Sequence, residues 1–548
     1  MSTKSRSGVH GNKEHESTET IRVPVSILDT VVSTRNILSV LFIFRLWNSQ
    51  SIQTYFQADE FFQCLEPAHK LAFGYGYITW EWTEQLRSSI HPLMYAFVYK
   101  MIQLLGFNSD WETSLVLVAP KVMGAIIATV GEFHLYKFAL KYCQSQRIAN
   151  ITLLVSMSSP FNWFLITRSF SNNLEMVLTT VALSYWPWNY NYNLWDTLIA
   201  CSFGIVSCIV RPTNAVLWLC LGSSLVWNTK RQHILKLIIS ISALLVAILA
   251  VNVVVDYLYY GKITVPLWNF LEFNIVKSLS IFYGVAPWHF YILQGVPMMT
   301  LTYLPFLLHY AVKLEGYKTV AGFTSVIVLL AFSMISHKEI RFIYPLQPLF
   351  LCFISISINQ LRLWTWKKTL TIIVILNVSL AYFFTRVHER GVIDVMNYLR
   401  EDESVTSFGF LTPCHSTPWQ STLHRKDLDD SSAAWFLTCE PPLHLSSAAN
   451  MDSIKKYRDE SDQFYDDPVT FINENFPHLT QEINIPEMGK KYSWPSRLVV
   501  FEPAEDIVTN HLGDKYSECH RFFNSYFHWD DRRTGDVIVY CANAHLSA

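Results

Sequence analysis

The chain has 548 residues, of which 51% are hydrophobic and only 16% charged, and its mean hydropathy is +0.21. A soluble domain carries roughly 25% charged residues, so this chain has too little charge to solvate its apolar surface as a soluble protein would. A pI near 6.8 without a basic stripe argues against nucleic-acid binding, and the ten cysteines form no C-x-x-C array of metal-binding type.

The charge is also unevenly spread: 25 charged residues fall in 1–148, 20 in 149–385 and 41 in 386–548. The last stretch is net −11 and the remainder net +9. This pattern predicts a polar cytosolic tail over 1–36, a membrane body over 37–385 and a soluble C-terminal domain over 386–548.

Residues 1–36 contain Lys4, Arg6, Lys13, Arg22 and Arg35 and lack the apolar core of a cleavable signal. The apolar stretch 37–52 reads as a signal anchor. Bases precede it and Asp59, Glu60, Glu66, Glu81 and Glu84 follow it, which places the N-terminus in the cytosol by the positive-inside rule. Residues 51–112 then form a first luminal loop. Within it, 91–107 is short for a span and carries Lys100, so it reads as an interfacial helix. Further spans are expected at 113–136, 149–166, 174–188, 196–210, 212–227, 237–258, 291–312, 319–336, 342–360 and 369–385. Alternation puts Lys137, Lys141 and Arg147, then Lys230, Arg231 and Lys236, then Lys313 and Lys318, then Arg362, Lys367 and Lys368 on the cytosolic side. The result is an α-helical polytopic membrane protein with about eleven transmembrane helices.

The tail alternates short apolar runs at 408–411, 435–437, 498–501 and 537–540 with Pro, Asp and Ser clusters, the pattern of short strands in a small mixed α/β domain. Its cysteines Cys414, Cys439, Cys519 and Cys541 face an oxidising lumen in this topology, with three full pairings open.

Three constellations carry chemistry. Asp59 and Glu60 are adjacent carboxylates in an aromatic, membrane-adjacent segment, where an unpartnered acid is costly unless it is used. Local desolvation suits such a group to general-base work beside a lipid-borne substrate. In the same loop, Arg87 follows Glu81 and Glu84 and could hold a phosphate bidentately or pair with either acid. The run His337-Lys338-Glu339-Ile340-Arg341 sets three potential cations at one end of a span. That is more than snorkelling requires and enough to neutralise a departing phosphate. Trp288 and His289 end the long loop 259–290 and could line the same site. Arg168 and Arg211 read as anchors at span ends, Asp256 as a polar cap, and Asp427-Leu428-Asp429-Asp430 as a solvated acidic run. No metal ligand set or cofactor motif accompanies these residues, and no divalent metal is expected.

Together the acidic pair, the stretch from Thr79-Trp80-Glu81-Trp82 to Arg87-Ser88 with Pro92, Pro287-Trp288-His289, and His337-Lys338-Glu339-Ile340-Arg341-Phe342 resemble glycosyltransferase family 22. These are the dolichyl-phosphate-mannose-dependent mannosyltransferases of the endoplasmic reticulum, with a GT-C fold. Phe282-Tyr283-Gly284 to Pro297 and Thr412-Pro413-Cys414-His415-Ser416-Thr417-Pro418 are similar to the branch that extends glycosylphosphatidylinositol (GPI) anchors. The resemblance implies transfer of a third, α-1,2-linked mannose from dolichyl-phosphate mannose to a mannosylated acyl-glucosaminyl-phosphatidylinositol acceptor at the luminal face. It also implies inversion with a single base, Asp59, assisted by Glu60. Substrate contacts then fall to Glu81, Arg87, Trp288, His289, His337, Lys338, Glu339 and Arg341. One departure is that the family usually has proline before the acidic pair, often as His-Pro-Asp-Glu, where this chain has Gln57-Ala58. Competing readings are a mannosyltransferase of the dolichol-linked N-glycan precursor and a polytopic transporter. A transporter would carry its charge at mid-bilayer and show an internal repeat.

Overall fold

The structure is a computed structural model and describes residues 33–188, 193–277, 279–361, 366–445 and 451–543. Most of the predicted cytosolic tail, and Arg362 of the last basic cluster, lie outside the described residues.

The membrane body is helical throughout. Helix α1 (Thr34–Ser51) leads through a π-helical turn (Phe61–Leu65) into α2 (Glu66–Phe73), the single turn α3 (Trp80–Thr83), α4 (Ile90–Leu105) and the long α5 (Ser109–Cys143). There follow α6 (Gln146–Met157), α7 (Pro160–Leu165), α8 (Ser171–Tyr185), α9 (Leu194–Val210), α10 (Ala215–Asn228) and α11 (Arg231–Tyr260). The last third of the body holds α12 (Pro266–Leu271), α13 (Val296–Thr300), α14 (Leu304–Val312), α15 (Val320–Ser333), α16 (Gln347–Gln360) and α17 (Lys367–Arg386). Among the described residues, five helical stretches are long and apolar enough to cross a membrane: Ser109–Cys143, Arg231–Tyr260, Tyr291–Val312, Ile340–Gln360 and Lys367–Glu401. Leu194–Val210 and Val320–Ser333 are apolar but shorter.

Two expected spans are not uniform α-helix. The stretch 149–166 divides at Ser158, because Pro160 cannot continue α6 and Ser159 caps the new helix by accepting from the Asn162 N–H. The stretch 291–312, long and apolar enough to cross, changes from α-helix to a 3-10 turn at Leu301, where φ is 47°. The loop 51–112 is likewise mostly helix, since α2, α4 and the π-turn pack on one another through Phe61, Ala68, Tyr95 and Tyr99.

Buried polar pairs fix the bundle. Arg45 of α1 forms a bidentate pair with Glu132 of α5, and Ser156 of α6 donates to the same carboxylate. At Gly124, α5 approaches the backbone so closely that an added Cβ would lie 1.9 Å from the Thr167 carbonyl oxygen.

After α17 the chain turns into α18 (Gly391–Glu401) and a five-stranded mixed sheet of order β2-β1-β3-β5-β4. Its strands are β1 (Phe408–Phe410), β2 (Ala434–Phe436), β3 (Arg497–Phe501), β4 (Tyr516–Ser525) and β5 (Gly535–Ala542). Strands β2, β1 and β3 run parallel, while β3, β5 and β4 are antiparallel. Period-two alternation divides the sheet's faces. Val499, Phe501, Val537 and Val539 pack on α18, α2 and α4, whereas Leu498, Val500, Ile538 and Tyr540 meet Phe464, Phe476 and Trp494 on the other face. The C-terminal sheet therefore shares a core with the first loop. Glu66 of α2 strengthens that junction by accepting from the Trp419 and Ser421 N–H groups and the Ser421 hydroxyl. The cysteines left open by sequence pair as Cys414–Cys439 and Cys519–Cys541.

Candidate active site

The adjacent acids point to different partners. Asp59 sits where the turn after α1 becomes helical, with the Glu60 N–H bonded to the Gln57 carbonyl and the Phe61 N–H to that of Ala58. With Ala58 at this position both bonds of the turn are formed. Asp59 Oδ2 lies 2.6 Å from Arg341 Nη1, and its side chain keeps about a fifth of its surface open. The contact is off the hydrogen-bonding angle, leaving that buried nitrogen without a geometric partner.

Glu60 is instead locked to Arg168 at 3.0 Å. Arg168 also donates to the Thr54 carbonyl, the Thr54 hydroxyl and the Phe164 carbonyl, and its guanidinium lies over the Phe164 ring. Arg168 is therefore more than the span-end anchor its position suggests. It is a buried clamp on Glu60, because an arginine this deep needs its donors met.

Arg341 is held from its other side by Glu339, whose carboxylate accepts from Nε at 2.6 Å and Nη2 at 2.9 Å, and its guanidinium lies over Phe170. His337 Nε2 is 3.2 Å from Glu339 Oε1 and its Nδ1 is 3.1 Å from the Gly284 carbonyl. Burial alone would raise the Glu339 carboxyl, but Arg341 and His337 together hold it well below the usual range. Burial pulls the other way on His337 too, and its hydrogen bond to Glu339 leaves the imidazole pKa above its ordinary value. Lys338 turns away: its ammonium donates to the Ala286 carbonyl, fixing segment 336–341 to the loop before Pro287. Trp288 is 66% exposed and makes no contact with this cluster, and the His289 Nδ1 is buried without a partner.

Arg87 forms a bidentate pair with Glu81, at 3.0 and 2.9 Å. The segment carrying it is fixed by α11 and α12. Tyr260 donates to the Arg87 carbonyl, Asn269 to that of Gln85, and Asp256 accepts from the Ser89 N–H and hydroxyl. Asp256 thus lies inside α11 and ties it to the residue before α4, where its position had suggested a cap on its own helix. Arg87 lines a pocket with Leu86, Ser88, Arg211, Pro212 and Phe270.

Arg211 is the residue that sequence reasoning undervalued. It ends α9, is 7% exposed, lies 3.5 Å from Glu175 and donates to the Ser171 hydroxyl at 3.3 Å, with its guanidinium over Phe342. Arg87, Arg341 and Asp59 all bear electrostatically on it. Its Nε and both oxygens of Glu175 lack hydrogen bonds of good geometry. The available signal was Glu175, the one charged residue of the apolar helix α8, which requires a partner from outside that helix.

The site therefore gathers Asp59, Arg341, Glu339 and His337 in direct contact, with Arg87 and Arg211 in one adjoining pocket. Among the described residues, the grouping of metal-type ligands Cys414, His415 and Cys439 has its two sulfurs joined as a disulfide. A carboxylate beside three guanidinium groups at the edge of an apolar bundle can take a proton from a hydroxyl while the arginines bind an anion.

Residues 36–424 match the sequence family described as the Alg9-like mannosyltransferase family. A protein of Debaryomyces hansenii named GPI mannosyltransferase 3 is 52% identical over 94% of this chain and 93% of its own length. The Candida albicans protein of the same name is 50% identical over 94% of this chain and 99% of its own. Among solved structures, ArnT from Cupriavidus metallidurans in the apo state aligns over 94% of this chain and 98% of its own, with a TM-score of 0.51 at 10% identity. That likeness establishes a shared GT-C fold.

Proposed function

The chain belongs to the Alg9-like mannosyltransferase family and is a membrane mannosyltransferase, and we propose that it adds the third mannose, α-1,2-linked, to the GPI-anchor precursor. The donor is dolichyl-phosphate mannose and the acceptor a mannosylated acyl-glucosaminyl-phosphatidylinositol. Relatives named GPI mannosyltransferase 3, aligned over nearly their whole length, support the acceptor class. The reaction runs at the luminal face of the endoplasmic reticulum membrane, in a body of about eleven crossings with a cytosolic N-terminus and a luminal C-terminal domain.

The observation that carries the chemistry is the Asp59–Arg341 contact. Without substrate, the guanidinium occupies the carboxylate. A donor phosphate competes for Arg341, and Arg87 and Arg211 line the pocket beside it. As Arg341 turns to the phosphate, Asp59 is freed to accept the proton of the acceptor 2-hydroxyl. That oxygen attacks C1 of mannose as the C1–O bond to phosphate breaks, and dolichyl phosphate leaves with the bonding pair. One displacement converts the β-linked donor into an α-linked product. Glu60 assists by fixing the turn that aims Asp59. Glu339 and His337 hold Arg341 in reach, while Lys338 braces their segment against the loop that carries Trp288 and His289. Negative charge on the leaving group is met by guanidinium groups, so the reading needs no divalent metal.

The decisive experiment is the glycolipid that accumulates in cells lacking the chain. A two-mannose GPI intermediate is expected, and a truncated dolichol-linked oligosaccharide would overturn the acceptor assignment in favour of N-glycan assembly.

A further inference from the structure

The C-terminal sheet presents an aromatic tip that the active site does not use. Between β4 and β5 the chain reads Ser525-Tyr526-Phe527-His528-Trp529-Asp530. Tyr526 is 72% exposed and Trp529 83%, with Phe523 and Phe527 also open. A soluble domain does not ordinarily expose four large aromatic side chains within seven residues.

The tip is rigidly placed. The Glu389 N–H donates to the Asn524 carbonyl, and the Asp530 N–H donates to His528 Nδ1. Phe527 stacks on His388 with ring centroids 4.6 Å apart, and on Phe383 at 6.3 Å. Phe383 lies three residues before the end of α17, roughly 4.5 Å below it at 1.5 Å rise per residue. The tip therefore reaches back along an apolar helix. On α17 itself Ile372, Ile375, Val378 and Tyr382 are all exposed, at the 3–4 residue spacing of a single stripe. That stripe runs up to Phe383 and continues through Phe527 onto the tip. The same level is the edge of the bundle, since the Gln53 N–H, just past α1, donates to the Thr385 carbonyl, and the Tyr55 N–H to that of Glu389.

We propose that residues 523–529 form a membrane-interface anchor, with Trp529 and Tyr526 seated among lipid headgroups and Phe527 at the upper edge of the acyl region. Trp and Tyr favour that layer because an apolar ring and a polar N–H or O–H are satisfied at once. The occupant is the bilayer rather than a protein, because the aromatic surface is continuous with the outward face of a helix apolar enough to span it. The anchor holds the sheet down on the turn that carries Tyr55 and, four residues on, Asp59.

The test uses full-length protein in phosphatidylcholine vesicles, with p-benzoylphenylalanine in place of Trp529, of Tyr526 or, as a control on the same domain, of fully exposed Met488. Irradiation is expected to give lipid adducts at 529 and 526 and none at 488. Absence of lipid adducts at 529, or cross-links there to a second copy of the chain, would overturn the assignment. Hydroxyl-radical labelling of the unsubstituted protein in the same vesicles guards against a folding failure. Trp529 should be protected to the level of the buried Trp494, and strong oxidation of Trp529 overturns the proposal.

Discussion

Two neighbouring arginine–carboxylate regions have opposite character. Around Arg168, the Nε, Nη1 and Nη2 nitrogens all donate to Thr54, Glu60 or Phe164, and the Glu60 side chain is almost wholly buried. Around Arg341, one nitrogen touches Asp59 without hydrogen-bond geometry, and Asp59 keeps an open edge. A fully satisfied buried pair is structural, since separating it costs several kcal/mol. A partly open pair can exchange partners when an anion arrives. The adjacent acids thus differ, Glu60 tied into a buried pair and Asp59 left partly open.

The sharpest way to break this division is Asp59→Asn. Loss of a general base should cut the mannosyl-transfer rate by roughly 10²–10⁴-fold, with little change in the melting temperature of the purified protein. Near-normal transfer would remove Asp59 from the mechanism. The converse change, Glu60→Gln, should act on stability: stranding a buried Arg168 costs about 3–5 kcal/mol, read as a large drop in melting temperature. Inactivity at unchanged stability would reverse the two roles.

Gly124→Ala probes the same clamp from outside. Its Cβ would meet the Thr167 carbonyl, next to Arg168, and overpacking should destabilise the protein by about 1–3 kcal/mol. Smaller still is the pH dependence. His337 has a raised pKa in the folded protein, so its contribution to stability is complete below its unfolded pKa and fades as pH rises through the folded one. Glu339 is depressed, so its contribution is present above its unfolded pKa and fades as pH falls through the folded one. Melting followed from pH 6 to pH 9 should therefore decline more steeply in the parent than in His337→Gln, and identical slopes would uncouple His337 from the cluster. The smallest effect expected is none: transfer should survive chelation by EDTA, and abolition restored by a divalent cation would replace the arginine-based reading.

Much of the site was legible in the sequence because its residues violate the rules of their surroundings. Asp59, Glu60 and the run from His337 to Arg341 are charges in aromatic and apolar stretches, where charge is expensive. The alternative for Arg87 stayed open because a single arginine cannot reveal its partner, and the structure pairs it with Glu81. Arg168 and Arg211 resembled snorkelling anchors, since their carboxylates lie 108 and 36 residues away in the chain. Trp288 was read towards the site by proximity to His289, yet it faces outward.

By itself, the sequence determined the apolar, helix-forming character of most of the chain, the strand-bearing tail and the residue types that meet in the candidate site, because composition and periodicity are local properties. Only the tertiary structure decided which acid meets which arginine, where α6 and α7 divide, how four cysteines pair, and that the sheet shares its core with α2 and α4. Those outcomes depend on distances between segments far apart in sequence, and such distances are set by packing.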